Sequence, residues 1–181
     1  PPRSTRKESS AASDVYKRQL NGWDVKIYDP DVHAERKIGE VFENACRSLP
    51  GLSDVKMPEP GSVTFCKTIG EVAKSASFIL EAVPERLEIK QSVYAQVESV
   101  NKTGIIASST SGIMPSDLQS KMKYPERLIV AHPFNPVYLL PLIELVKGKK
   151  TKNYYIQKAK IFYKEIGMEP LVLKKEIEVL I

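Results

Sequence analysis

The chain has 181 residues, of which 42% are hydrophobic and 27% charged, and its 27 Lys and Arg outnumber 22 Asp and Glu for a formal charge of +5. This composition is ordinary for a globular chain with room for one well-formed core, or one domain and part of another. The lysines are scattered rather than gathered in a basic stripe interleaved with aromatics, and no apolar run approaches the roughly 20 residues needed to cross a bilayer, so neither a nucleic-acid nor a membrane partner is expected.

Two cysteines, Cys46 and Cys66, form neither a disulfide framework nor a metal-ligand pattern. A cytoplasmic location and no metal are expected. Residues 1–19 are rich in Ser, Arg and Lys and lack clear periodicity in their first part. They are expected to be a disordered or non-native segment, with helix only where Val15–Leu20 joins the following turn.

From Leu20 the pattern changes. Asn21-Gly22 marks a turn, and Asp24-Val-Lys-Ile-Tyr-Asp29 alternates as a strand ending in a carboxylate. Asp31 can cap a helix whose apolar positions Ile38, Val41, Phe42, Ala45 and Leu49 recur at helical spacing. A Pro/Gly-rich loop over 52–62 leads to a short strand at Ser62–Phe65, a helical turn at Thr68–Lys74 and a buried strand at Phe78–Val83. Leu87, Val93, Tyr94, Val97 and Val100 predict a helix, Gly104–Ser108 a strand, and Pro115–Lys121 a short helix. Leu128–Ala131 and Leu142–Val146 read as strands, Lys152–Ile166 as a helix closed by Gly167, and Leu171–Leu173 as a last strand.

Strands alternating with helices predict an α/β fold of Rossmann-like type, a mainly parallel sheet covered by helices on both faces. Ligands of such sheets sit beyond the carboxyl ends of the strands, where Asp29, Glu85, Ser111 and His132 fall. Asp29 suits an acceptor for adenosine-ribose hydroxyls, but an Asp before a Pro also suits a turn. The G-x-G-x-x-G turn expected roughly 20 residues earlier is absent, so a first strand and glycine turn are expected to be missing, together with the helix N-terminus behind them. His132 follows an apolar strand in the frame His-Pro-Phe-Asn-Pro, and Glu144 interrupts the apolar Leu142-Ile-Glu-Leu-Val146. The two make either a catalytic dyad or a structural ion pair. The hydroxyls of Ser108-Ser-Thr-Ser111 suit a ligand or plain turn chemistry, and no G-x-S-x-G elbow is present.

From Leu20 to about Lys175 the sequence resembles the 3-hydroxyacyl-CoA dehydrogenase family, carried by His132-Pro-Phe-Asn-Pro136 and the downstream Glu144. The blocks Leu20-Asn-Gly-Trp-Asp-Val, Glu35-Arg-Lys-Ile-Gly-Glu-Val, Leu49-Pro-Gly-Leu-Ser-Asp-Val and His132-Pro-Phe-Asn-Pro-Val-Tyr-Leu-Leu-Pro-Leu resemble its carnitine-oxidising branch. The resemblance implies a catalytic set of His132 as general base, Glu144 as its orienting carboxylate, and Ser111 as hydrogen-bond partner of substrate and nicotinamide. It implies NAD as cofactor, contacted by Asp29, Ala82, Glu85, Lys90, Ser111 and Asn135.

The reaction it implies is oxidation of a small 3-hydroxy acid, L-carnitine, with Tyr138 a candidate for caging a trimethylammonium group. The alternatives are an acyl-CoA substrate in fatty-acid oxidation, or a non-catalytic crystallin-like relative. Residues 20–175 are then an NAD-binding domain incomplete at its N-terminus, and 176–181 begin a linker to a helical C-terminal domain. That domain is expected to make the homodimer, and the piece as written is expected to be inactive alone.

Overall fold

Parallel pairing dominates the backbone of this chain, as described by a computed structural model for residues 10–48, 58–134, 137 and 140–176. The chain divides into two units, one running to Phe65 with the segment Asn135–Leu140, the other comprising Cys66–Phe134 and Pro141 onward.

The first unit holds helix α1 (Ser10–Leu20), strand β1 (Val25–Ile27), helix α2 (Ala34–Ser48) and strand β2 (Val63–Phe65). β1 and β2 pair in parallel, with Val25 opposite Val63 and Ile27 opposite Phe65. Gly22 turns the chain between α1 and β1 at φ 81°, a left-handed value that glycine adopts without steric cost.

α1 differs from the expectation for residues 1–19. The helix begins at Ser10, and Ala12, Ser13, Asp14, Tyr16 and Arg18 are buried. Arg18 and Asp14 pair one helical turn apart, with Nε 2.5 Å from Oδ2. The Tyr16 ring packs on Phe42 of α2 at 5.0 Å between centroids. A helix N-terminus therefore does precede β1, although no glycine turn leads into it. Among the described residues β1 is the first strand.

The second unit is built on a five-stranded sheet of order β3-β4-β5-β6-β7. In chain order its elements are α3 (Ile69–Ala73), β3 (Phe78–Glu81), α4 (Leu87–Val100), β4 (Ile105–Ser108), α5 (Pro115–Leu118), β5 (Leu128–Pro133), β6 (Leu142–Lys147), α6 (Asn153–Glu165) and β7 (Glu169–Val172). Short 3-10 turns at Gln119–Lys121 and Pro125–Arg127 lead from α5 into β5. The pairs β3–β4, β4–β5 and β6–β7 are parallel, whereas β5–β6 is antiparallel. The reversal matters for function, because the start of β6 lies beside the end of β5.

Local chemistry explains the elements. Thr68 caps α3 by accepting from the Glu71 N–H at 3.2 Å, and Gly167, at φ 69°, ends the turn after α6. β4 is buried along its whole length, which accounts for its unbroken apolar run of Ile105, Ile106 and Ala107. Ile79, Tyr94, Val97, Ile106, Leu118, Leu128, Val130 and Val146 form the main core of this unit. At the amino end of β4, Asn101 donates to Ala73 O and Ala76 O and accepts from the Gly104 N–H. Buried Arg127 donates to Gly104 O and Asn101 O.

Candidate active site

β3, β4 and β5 run in the same direction, so their carboxyl ends share one edge of the sheet, and antiparallel β6 begins at that edge. The edge gathers Ala82 and Glu85 after β3, Ser111 after β4, His132 near the end of β5 and Glu144 near the start of β6. Five of the nine residues singled out by sequence are thus brought to one margin of one unit. Asp29 belongs to the other unit, where it follows β1, is exposed, and accepts from the Asp31 N–H at 2.8 Å. Asn135 and Tyr138 lie outside the described residues.

The β5–β6 register sets His132 directly opposite Glu144. Nδ1 of the imidazole is 4.0 Å from Oε2 of the carboxylate, with both side chains largely covered. Neither atom has a hydrogen-bond partner among the described residues. Burial lowers the His132 pKa from its ordinary value, and the Glu144 and Glu85 carboxylates oppose that shift without cancelling it. The ring is therefore neutral at neutral pH. A carboxylate facing Nδ1 favours the tautomer with the proton there, which leaves the Nε2 lone pair to accept a proton.

Glu85 holds the turn after β4. Its Oε1 accepts from the hydroxyl of Thr110 and from the N–H groups of Ser111, at 3.2 Å, and Gly112, at 3.0 Å. Burial raises its pKa, but the bonds from Thr110 and Gly112 and the Lys90 ammonium outweigh burial and leave it lowered. Glu85 is thus an anion that fixes the backbone carrying Ser111.

Lys90 is placed differently from the expected cofactor contact. It is 1% exposed, and its ammonium reaches Glu81 Oε1 at 2.8 Å, Val83 O at 3.2 Å and Glu85 Oε2 at 3.3 Å. Three acceptors engage its three donors, and one of them, Glu85, carries Lys90 to the Ser111 turn.

Sequence reasoning missed Glu81, the buried carboxylate that ends β3. Its Oε1 accepts from Val83 N and Lys90, and its Oε2 from the hydroxyls of Tyr94 and Ser108, each at 2.6 Å. The available signal was an acidic residue in an otherwise apolar strand, the same feature that drew attention to Glu144. Among the described residues no cluster of metal-binding side chains and no helix long and apolar enough to cross a membrane is present.

A mainly parallel sheet with helices between its strands, and a histidine facing a carboxylate at its carboxyl edge, defines a Rossmann-like α/β domain. The family model for the NAD-binding domain of 3-hydroxyacyl-CoA dehydrogenase matches residues 14–177, and the chain belongs to that family. A Rhizobium L-carnitine dehydrogenase/betainyl-CoA thioesterase is 52% identical over 160 residues, covering 88% of this chain and 32% of that protein. The L-carnitine dehydrogenase of Mesorhizobium japonicum is 50% identical over 161 residues, covering 88% of this chain and 44% of that protein. Among solved structures, an NAD+-dependent dismutase, FHMPC 5-dehydrogenase, superposes with TM-score 0.84 at 30% identity, covering 92% of this chain and 55% of that one. The chain therefore spans roughly a third to a half of the length of these two relatives.

Proposed function

We propose that this chain is the cofactor-binding part of an NAD-dependent 3-hydroxy-acid dehydrogenase, and that the whole protein oxidises L-carnitine to 3-dehydrocarnitine. The observation that carries the reaction class is the antiparallel β5–β6 register, which sets a desolvated imidazole against a carboxylate at the ligand edge of the sheet. The substrate rests on relatives of 52% and 50% identity that are L-carnitine dehydrogenases.

The residues present suit the cofactor. Ala82, exposed at the exit of β3, places no bulky side chain there, and exposed Asp29 offers the acceptor that ribose hydroxyls need. Ala82, Glu85 and Ser111 of the second unit would hold NAD, with Lys90 fixing Glu85, and the family resemblance assigns further contacts to Asp29 and Asn135. When bound, NAD supplies the hydride acceptor for the carbon being oxidised.

His132 takes the hydroxyl proton on Nε2 as the C–O bond of that carbon becomes a carbonyl. Glu144 orients the ring and stabilises the imidazolium that forms. Ser111 donates a hydrogen bond to the substrate oxygen. Residues 20–175 make up the NAD-binding domain in this reading, and 176–181 lead toward the rest of the protein, where we place the homodimer contacts. A cytoplasmic location goes with the same reading.

A second reading, oxidation of a 3-hydroxyacyl-CoA, is favoured by the family model itself. Assaying the full-length protein for NADH formation with L-carnitine and with 3-hydroxybutyryl-CoA separates the two. Turnover of carnitine alone is expected. Turnover of the thioester alone selects the second reading, and turnover of neither sinks both.

A further inference from the structure

We propose that Glu81 is a positioning residue, a buried hub whose four hydrogen bonds hold the exits of β3 and β4 in the geometry that the cofactor edge requires. The cofactor part of this inference rests on the function proposed above.

Two routes lead from Glu81 into the Ser111 turn. In the first, Oε1 receives the Lys90 ammonium, which also reaches Glu85 Oε2, and Glu85 Oε1 then takes the Ser111 and Gly112 N–H groups. In the second, Oε2 receives the Ser108 hydroxyl, whose oxygen accepts from the Thr110 N–H at 3.4 Å. Thr110 closes the loop between them, donating to Glu85 and accepting from the Ile113 N–H at 3.1 Å.

Tyr94 anchors the hub from α4. Its ring is fully buried, and its hydroxyl donates to Glu81 Oε2 at 2.6 Å. Burial first, then the Glu81 charge, raise the Tyr94 pKa well above its ordinary value, so the phenol remains a donor. A carboxylate so buried is tolerated only when its lone pairs are filled, and here they are. A hub of this kind has discrete geometry, and losing one donor lets the carboxylate turn and slackens both routes.

Tyr94→Phe is the informative variant, because that hydroxyl makes no bond to Glu85, Ser111 or Gly112 and acts on the turn through Glu81 and through Ser108, which Glu81 also holds. Backbone amide exchange of the full-length protein, followed by NMR, should show the Ser111 and Gly112 amides exchanging about fivefold faster, with β5 and β6 unchanged. NAD affinity, measured by calorimetry, should weaken about fivefold while the acid limb of the oxidation rate stays where it is. Unchanged protection at Ser111 and Gly112, or uniform acceleration across the whole unit, overturns the inference.

Unchanged NAD affinity alongside a loosened turn overturns its cofactor half. A parent protein that binds no NAD removes the proposed function and that half together, leaving the amide result to decide the hub. Should Tyr94→Phe fail to fold, Glu81→Gln keeps the volume, weakens the hold on Lys90, and is expected to give the same localised loss. A Glu81→Gln protein with full protection at Ser111 and Gly112 also overturns the inference.

Discussion

Nδ1 of His132 faces Oε2 of Glu144 at 4.0 Å across the antiparallel β5–β6 pair, and neither atom is hydrogen-bonded among the described residues. The separation is about 1 Å beyond an N–H···O bond. Acid–base pairs in ligand-free sites are often this loose and tighten when substrate arrives. The pair holds unspent hydrogen-bonding capacity in a largely covered place.

Replacing His132 with Ala removes the proposed base while leaving the Glu85 turn untouched. Steady-state assays of the full-length enzyme should show kcat falling by about 10²–10⁴, with NAD affinity by calorimetry unaltered. A variant that turns over at the parent rate would mean that the proton leaves by another route.

Glu144→Gln tests the electrostatics. Burial depresses the His132 pKa and Glu144 opposes that depression. Removing the opposing charge lowers the pKa further. Oxidation requires the neutral ring, which exists above the pKa, so the acid limb of kcat/KM should move to lower pH. The plateau rate should drop by about 10–100-fold, the worth of a charge-assisted hydrogen bond to the imidazolium. A pH profile displaced to higher pH would reverse the assigned sign.

Arg127 makes a stability prediction. Its guanidinium, fully buried, donates to Gly104 O at 2.6 Å and Asn101 O at 2.8 Å. Arg127→Met leaves two buried carbonyls without those donors and should cost about 2–6 kcal/mol in denaturant unfolding, at about 1–3 kcal/mol for each unsatisfied group. A loss below about 1 kcal/mol would show that water reaches those oxygens.

At Gly104 a side chain has no room. A Cβ there would lie 2.5 Å from Ala76 O, a backbone atom that cannot swing aside, and 3.2 Å from the Asn101 amide. Gly104→Ala should therefore lower the melting temperature, with about 1–3 kcal/mol of overpacking strain. An unchanged melting temperature would show that the β3–β4 connection yields without cost.

Much of the second unit was legible because its signals are local. The helix over Leu87–Val100 follows from the spacing of Leu87, Tyr94 and Val97, and the strand at Ile105–Ser108 from a short apolar run bounded by Gly104. Only the end of α1, Val15–Leu20, was legible as helix, because Asp14 and Arg18 read as surface charges until their pairing lets both be buried. Glu81 escaped notice for a related reason. Three of its four donors, Lys90, Tyr94 and Ser108, lie 9, 13 and 27 positions away, so no sequence window holds the carboxylate with its partners.

From the amino acids alone came the order of strands and helices, the NAD-type domain class and the choice of His132 and Glu144. The order of elements depends on short-range periodicity and turn chemistry, the domain class on resemblance to a known family, and the two site residues on polar side chains set in or after apolar strands. Folding in three dimensions decided that β6 returns antiparallel, with Ile143, Leu145 and Val146 buried, so that Glu144 and not a neighbour meets the imidazole. A slip of one residue would turn that carboxylate to the other face, and only packing against the sheet forbids it.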